Sequence, residues 1–384
     1  MEIFYGHPTQ EKIVGNIYKG RVEDVLPGLG SAFIDVGEKK SLFLARGEIN
    51  DAIVIAKGFK PWSGGAPINK LLRSKETLTI QVRRGGIGSK NPQGTTKISL
   101  PGRFWIFLPT EDRLGVSRRI EGVRIQRRLR RTAREMKKNG EGLIARTAAQ
   151  WASEEELKRD YQFLMETWEA IEAAAQRATA PQLLYKTMGL VQTILRDRLL
   201  PDIDEVIVDS EFFHEKILYF LDYMRMDEYK DRVRLNREKA PLFQHYQLEE
   251  QIQETLSRRV SLSGGGSLVI DETEALIAID VNTGGDTKHR NQEDAILNTN
   301  LEAAAEIARQ LRLRQMSGII VVDFVDMADR KNEERLGSKI RDELRKDRVS
   351  ADFVDFTALG LAEITRKRAG ESLADMLENA QFDA

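Results

Sequence analysis

The sequence predicts a multidomain α+β / α/β protein, all-β near its start and α/β at its end. Three observations carry this. Between residues 14 and 100, short alternating segments recur at even spacing with Gly turns between them. Between residues 113 and 138 the text becomes helical and strongly basic. From residue 276 to 327 an apolar run, an amphipathic stretch and a second apolar run follow one another, the order of a parallel strand–helix–strand crossover. At 384 residues the chain has room for roughly two or three domains and a large core.

Residues 1–13 hold one candidate strand, Met1-Glu2-Ile3-Phe4-Tyr5, with no neighbour to pair with. From 14 to 100, Asn16–Val22, Ala32–Gly37, Ser41–Leu44, Leu78–Arg83 and Thr95–Ser99 read as strands, and Leu26-Pro27-Gly28-Leu29-Gly30 as a turn. Short strands with such turns predict a small closed barrel of the OB type. Phe33 and Phe43 lie on these strands near Lys19, Arg21, Lys39, Lys40 and Lys90. Aromatics interleaved with cations make a stacking platform for single-stranded nucleic acid, and the alternative is that both rings are barrel core. The stretch from about Ile53 to Lys70, with Trp62, reads as a long loop.

From 101 to 180 the texture changes. Gly102–Pro109 is a strand, and Arg113–Lys138 carries 11 Lys or Arg against 2 Glu, a local charge of +9. Arg118, Arg119, Arg124, Arg127, Arg128, Arg130, Arg131, Arg134, Lys137 and Lys138 stand mostly at helical spacing, so contact with a polyanion is expected. Gly142–Thr147 reads as a strand ending in Arg146-Thr147, a fork and a hydroxyl suited to phosphate oxygens. Glu154 to Arg177 is an amphipathic helix. From Leu183 to Ser257 the pattern is αβα, Leu248 to Val260 reads as another helix, and Ser261–Gly266 reads as a hinge.

The segment 261–384 holds the most informative text. Leu276–Ile279 is an apolar strand that ends at Asp280 and a Gly turn, and Gly318–Val322 is a second that ends at Asp323. A helix from about Asn298 to Arg314 joins them, so the two acids should emerge side by side, at the edge where open α/β sheets place their sites. Like charges a few ångströms apart oppose each other's ionisation, and a divalent cation removes the conflict. Oxygen ligands without Cys or nearby His favour Mg²⁺ or Mn²⁺ over Zn²⁺. Asn282 follows on the same side of an extended chain. The alternative is that these acids merely cap helices or end strands. Asp326 reads as structural, and His289 as an exposed loop residue. The text continues through a charged helix near Asn332–Asp347, a strand at Ala351–Phe356, a helix from about Leu361 and a frayed tail from Ser372.

Composition excludes some classes. There is no Cys, hence no disulfide and no thiolate zinc site, which fits a cytoplasmic protein. No apolar run reaches about 18 residues, so no membrane span is expected. The net charge of −1 says nothing about partners.

These motifs resemble the ribonuclease E/G endoribonucleases. The resemblance rests on Asn16-Ile17-Tyr18-Lys19-Gly20, Ile98-Ser99-Leu100-Pro101-Gly102, Ser117-Arg118-Arg119-Ile120-Glu121, Gly142-Leu143-Ile144-Ala145-Arg146-Thr147, Ile279-Asp280-Val281-Asn282-Thr283-Gly284, Asn298–Ala304, Arg309–Arg314 and Val322–Met327. It implies an S1 barrel over 14–100 and a 5′-monophosphate sensor over 101–180, inserted in a split RNase H-like domain over 1–13 and 181–260. A DNase I-like catalytic domain would follow over 261–384. By the same resemblance Asp280 and Asp323 would hold Mg²⁺ with Asn282 in support, and these three would be catalytic. Arg146 and Thr147, with the backbone at Gly102 and Ile106, would bind a 5′ phosphate, and Phe33, Phe43 and Lys90 would grip single-stranded RNA. The expected activity is endonucleolytic cleavage of single-stranded RNA, in rRNA maturation or mRNA turnover.

Two departures accompany the resemblance. The family's Cys-Pro-x-Cys zinc link between subunits has no counterpart here, so no zinc is expected and any homo-oligomer would form without it. The opening strands of the RNase H-like half also look shortened. The rival class is a non-catalytic RNA-binding or maturation factor on the same scaffold. A weaker third reading is a DNA nuclease.

Overall fold

A computed structural model describes residues 2–4, 13–60, 66–86, 90–238, 240–284, 292–368 and 372–382. Trp62 and His289 lie outside the described residues. The chain divides into two compact units, Gln10–Arg237 on the one hand and Met1–Thr9 with Glu238–Ala384 on the other.

The first unit opens with β1 (Ile17–Leu26), β2 (Ser31–Asp35), β3 (Leu42–Ala45), β4 (Thr77–Arg84) and β5 (Gln93–Thr95). They pair in the order β1-β2-β3-β5-β4, and β4 returns to β1, which closes a five-stranded barrel consistent with the OB type. Alternation turns Tyr18, Ile34, Leu42, Leu44 and Ile80 inward. Where a long loop was expected, two short helices stand, α1 (Asp51–Ala56) and α2 (Ile68–Leu71). Asn50 starts α1 by accepting from the Ile53 N–H at 2.9 Å, a cap signal that the apolar run after it had hidden.

A second layer follows: β6 (Leu100–Pro101), β7 (Trp105–Leu108), β8 (Leu114–Val116) and β9 (Gly142–Ala145), in the order β6-β7-β9-β8. The helices α3 (Val123–Met136) and α4 (Glu154–Arg177) pack against it through Trp105, Phe107, Leu129, Leu143, Leu157 and Leu164. Helix α4 begins at a reciprocal cap between Ser153 and Glu156. Beyond it β10 (Gln182–Tyr185) pairs antiparallel with β1. The unit ends with α5 (Leu190–Arg198), α6 (Glu211–Tyr223) and the parallel pair β11 (Val206–Val208) and β12 (Val233–Leu235).

The second unit has α7 (Leu242–His245) and α8 (Leu248–Thr255), then a six-stranded sheet. Its strands are β13 (Arg259–Ser261), β14 (Ser267–Glu272), β15 (Ile277–Asn282), β16 (Gly318–Asp323), β17 (Ala351–Phe356) and β18 (Ala362–Arg366), in the order β13-β14-β15-β16-β18-β17. Only β15 and β16 run parallel, joined by α9 (Gln292–Leu313) as the crossover pattern predicts. Ile279, Val281, Ile320 and Val322 share one core with Leu311 of α9 and with Leu336 and Ile340 of α10 (Arg330–Arg345).

Several expectations are corrected here. The expected helix after Leu361 is β18, whose alternation of buried Ala362, Ile364 and Arg366 with exposed Glu363 and Thr365 is the period of a strand. The expected frayed tail contains α11 (Leu373–Phe382), anchored by the fully buried Leu373. Ser261–Gly266 is no hinge: the Leu262 N–H donates to the Gly266 carbonyl at 2.8 Å and makes it the turn of the β13–β14 hairpin. Residues 2–4 form no strand.

Beneath this sheet, Arg366 donates through Nε to Asp347 at 2.7 Å and through Nη1 to the Met316 carbonyl at 2.6 Å. Both partners of the pair are 3% exposed. Removing one partner strands a buried charge. Asp347→Ala should therefore lower the unfolding free energy by about 3–5 kcal/mol, read as an early transition in urea.

Candidate active site and phosphate pocket

The period of β15 is two, and its core face is Ile277, Ile279 and Val281. Ala278, Asp280 and Asn282 therefore lie exposed on the other face. The strand is therefore buried on one side only. On β16, Ile320 and Val322 are buried, while Ile319 is 53% exposed and Asp323 is exposed. The parallel register pairs Asp280 with Asp323, so the two acids stand on neighbouring strand ends. Asn282 donates from Nδ2 to Oδ2 of Asp280 at 2.7 Å and so fixes that carboxylate. Just beyond, Gly284 passes so close to the Gly265 carbonyl that a Cβ there would collide with backbone. The hairpin turn and the site loop are packed backbone to backbone, which requires a glycine.

Two residues missed in the sequence hold the segment after Asp323. Asn300 of α9 is fully buried, donates to the Val325 carbonyl at 2.8 Å and accepts from the Val325 N–H at 3.1 Å. Glu293 accepts from the Ala328 N–H at 3.3 Å and the Asp329 N–H at 3.2 Å. The Asp329 N–H, Asn332 and the Ala328 N–H together hold the Glu293 carboxyl below its ordinary range. An Asn on the apolar side of a helix was the available signal for Asn300.

Among the described residues no group of three or more His, Asp or Glu gathers as a metal cluster. Two carboxylates suit a cation that keeps much of its water, as Mg²⁺ does, and do not suit a fully protein-ligated Zn²⁺ or Ca²⁺. The donor set therefore fits Mg²⁺ held by Asp280 and Asp323.

In the first unit, Arg146 and Thr147 leave the end of β9 beside the start of β7. The Arg146 N–H donates to the Phe104 carbonyl at 2.8 Å, and its guanidinium donates to the Gly102 carbonyl. Thr147 shares a hydrogen bond with Ser117 at 3.1 Å. The structure thus brings Arg146, Thr147 and Gly102 together, with Ile106 half-buried on the adjoining strand opposite Ile144.

Two acids that the sequence did not single out build this pocket. Asp160 of α4 is buried and accepts from the backbone N–H groups of Arg103, Phe104 and Trp105 at 2.9, 2.8 and 2.9 Å. Burial pushes its carboxyl up, against those three donors and Arg146, which pull it down. A Cβ on Gly102 would lie 2.6 Å from Asp160 Oδ2, so this turn wraps the carboxylate only with glycine there. Asp160 shares the apolar face of α4 with Leu157 and Leu164, and that placement was its signal. Asp197 receives Arg146 at 2.8 Å and Arg196 at 2.7 Å. Burial raises its carboxyl, but the hydrogen bonds from Arg196 and Arg146 outweigh burial and leave it below the ordinary value.

On the barrel, Phe33 and Phe43 are cross-strand partners on the outer face, half-buried, with ring centroids 6.0 Å apart. Neither ring is barrel core. Lys90 is exposed. Lys19 and Arg21 do not join them: Lys19 donates to the Ala175 and Ala178 carbonyls at 2.7 and 2.8 Å, and Arg21 donates to the Ala180 carbonyl. Lys19 closes the C-terminal end of α4, where exposed carbonyls and the helix dipole favour cations, and Arg21 holds the chain just past it.

The Ribonuclease E/G family model matches residues 99–369. The chain is 38% identical over 380 residues to Ribonuclease G of Escherichia coli (strain K12), covering 98% of this chain and 77% of that protein. It is 38% identical over 373 residues to Ribonuclease E of Haemophilus influenzae, covering 96% of this chain and 39% of that one. It is 35% identical over 365 residues to Ribonuclease E of Nostoc sp., covering 94% and 52%. The chain belongs to the ribonuclease E/G family, and with it to the endoribonucleases. Among the described residues no helix is long and apolar enough to cross a membrane.

The direction of the Asp197 shift fixes a pH dependence. A carboxyl held below its ordinary value adds stability that is present above the unfolded pKa, near 3.9, and is lost as pH falls through the lower folded value. The melting-temperature gap between the parent and Asp197→Asn should be full at neutral pH and close as pH falls through and below the ordinary carboxylate range.

Proposed function

We propose that this chain is a Mg²⁺-dependent endoribonuclease that cleaves single-stranded RNA and favours 5′-monophosphorylated substrates in cytoplasmic RNA processing or decay, including rRNA maturation and mRNA turnover. The observation that carries the reading is the in-register pairing of Asp280 with Asp323, with Asn282 bonded to the first of them. Asp280 and Asp323 would hold Mg²⁺ there, with Asn282 orienting the Asp280 carboxylate. The ion would supply an activated water and a counter-charge for the phosphate in the transition state. Phe33 and Phe43 offer faces on which unpaired bases stack whatever their identity, and Lys90 adds a cation for the backbone. Arg146 and Thr147 supply charge-assisted and hydroxyl contacts to a terminal phosphate, with the backbone at Gly102 and Ile106 shaping the pocket.

The segment roles that go with this reading are an S1 barrel over 14–100 and a 5′ sensor over 101–180. An RNase H-like domain would be split between 1–13 and 181–260, and a DNase I-like catalytic domain would span 261–384.

Asp280→Asn or Asp323→Asn should abolish Mg²⁺-dependent cleavage of a short 5′-monophosphorylated RNA and leave its binding nearly intact. Cleavage that survives in both variants would sink the metal assignment. Arg146→Ala should erase the rate advantage of a 5′-monophosphate over a 5′-hydroxyl. Equal slowing of both substrates would remove the sensor role.

A further inference from the structure

Helix α3 is the most basic element of the chain, and the structure sorts its cations into two sets. Leu129, Thr132 and Ala133 are buried and define the inner face. Arg128 serves the fold: it donates to the Ala152 carbonyl at 3.0 Å, the Gln150 carbonyl at 3.1 Å and the Ala149 carbonyl at 3.4 Å. Lys137 pairs with Asp112 at 2.8 Å, its own side chain 11% exposed. The others, Arg124, Arg127, Arg130, Arg131 and Arg134, are all exposed. At 3.6 residues per turn they fall within an arc of about 120°, centred opposite the buried face, and run for about 15 Å along the axis. Among the described residues, Arg124, Arg127, Arg130 and Arg134 have no acid within 4.0 Å. Arg131 reaches Glu135 only at 3.9 Å, with both side chains 67% exposed, a pair of little strength.

Five guanidinium groups on one side of a rod repel each other and contribute nothing to the core. Their arrangement suits a partner with a matching row of anions. Residues 118–138 contain no Phe, Tyr or Trp, so this face offers no platform for unpaired bases. It offers phosphate contacts only. A base-paired RNA presents its phosphates in fixed rows with its bases turned away, and is recognised through that backbone. A rigid row of donors meeting a rigid row of acceptors also loses little conformational freedom on binding.

We infer that the outer face of α3, through Arg124, Arg127, Arg130, Arg131 and Arg134, docks the phosphate backbone of a double-stranded segment of RNA. This deepens the reading of the chain as a ribonuclease and rests on RNA being its substrate. The substrate then carries a base-paired segment as well as the unpaired stretch that is cut.

The test uses the full chain, a blunt RNA duplex of about 20 base pairs and an unstructured RNA of equal length, with binding measured by fluorescence anisotropy over a salt series. The parent should bind the duplex. Combined Arg124→Gln, Arg127→Gln, Arg131→Gln and Arg134→Gln should weaken duplex binding by about tenfold or more and flatten the salt slope by about 0.9 for each phosphate no longer neutralised. Affinity for the unstructured RNA, and its cleavage, should stay within about twofold. The same four positions changed to Lys should restore much of the duplex binding, which separates lost charge from lost folding. The proposal is overturned if the parent does not bind the duplex, if the Gln variant binds it as the parent does, or if duplex and single strand weaken together. An acidic protein as the true partner of the stripe would give the second of these results. Failure of the parent to cleave the unstructured RNA would instead remove the nuclease reading and leave the duplex measurement interpretable.

Discussion

The register of β15 against β16 is the constraint on which the candidate active site depends. Ile279 and Val281 on one strand, and Ile320 and Val322 on the other, all face α9 and α10. A slip of one residue would turn these side chains to the open face and bury a carboxylate in their place. The apolar core therefore sets the position of Asp280 relative to Asp323, although it contains neither. Two like charges on adjacent parallel strands repel, and nothing in the local electrostatics would choose that arrangement. Packing on the far side of the sheet enforces it, and the interaction that relieves it directly is the amide of Asn282 on one oxygen. Burial of one face is thus spent on holding an unfavourable arrangement on the other, the usual signature of a site rather than of a fold.

The candidate phosphate site around Arg146 is built by the reverse device. There the charges are buried and the backbone is wrapped around them. Asp160 gathers three consecutive N–H groups, which fixes the turn before β7, and the Gly102 carbonyl of that turn accepts from Arg146. Arg103, 5% exposed, leaves the same turn in the opposite sense and bonds the Leu199 carbonyl and the Tyr229 hydroxyl at 3.0 and 2.8 Å. The pocket is therefore anchored to α4 by one charge and to the 199–229 region by another. Asp197 adds a third anchor at the guanidinium itself. An arginine positioned in this way has lost its rotamer freedom before any ligand arrives, and preorganisation of that kind lowers the cost of binding an anion.

What the sequence made legible follows from period and contact range. The crossover from Ile277 to Asp323 was readable because strand and helix periods are local, although β15 runs two residues past Asp280 before it ends. Strand β18 was misread as helix because five residues offer too little period to outweigh the charged text around them. The role of Asn50 as a cap and that of Leu373 as an anchor depend on what each packs against, which no local pattern states. At the candidate site, residue type pointed to Asp280, Asn282, Asp323 and Arg146. It did not point to Asp160, Asp197 or Asn300, whose work is done through partners 25 to 57 positions away or across helices. Lys19 and Arg21 show the opposite error. Proximity in sequence to Phe33 suggested a shared surface, whereas their hydrogen-bond acceptors lie 156 and 159 positions further along the chain.

The same long-range contacts decide how the charge of the chain should be counted. A net charge of −1 hides a segment of +9, but the segment figure also misleads until the fold subtracts from it. Arg128 and Lys137 are consumed in holding α3 to its neighbours, Lys19 in closing α4 and Arg21 in holding the chain just past it. What survives this subtraction is not a diffuse cloud but an ordered line on one helix face. Diffuse positive charge raises the encounter rate with any polyanion, whereas a line at fixed spacing on a rigid element can also select among polyanions by the geometry of their phosphates. In the proposed reading, the barrel face of Phe33 and Phe43 and the arginine face of α3 therefore differ in kind: one would reward unpaired bases, the other an ordered backbone. A single chain that carries both is suited to RNA in which paired and unpaired segments lie next to each other.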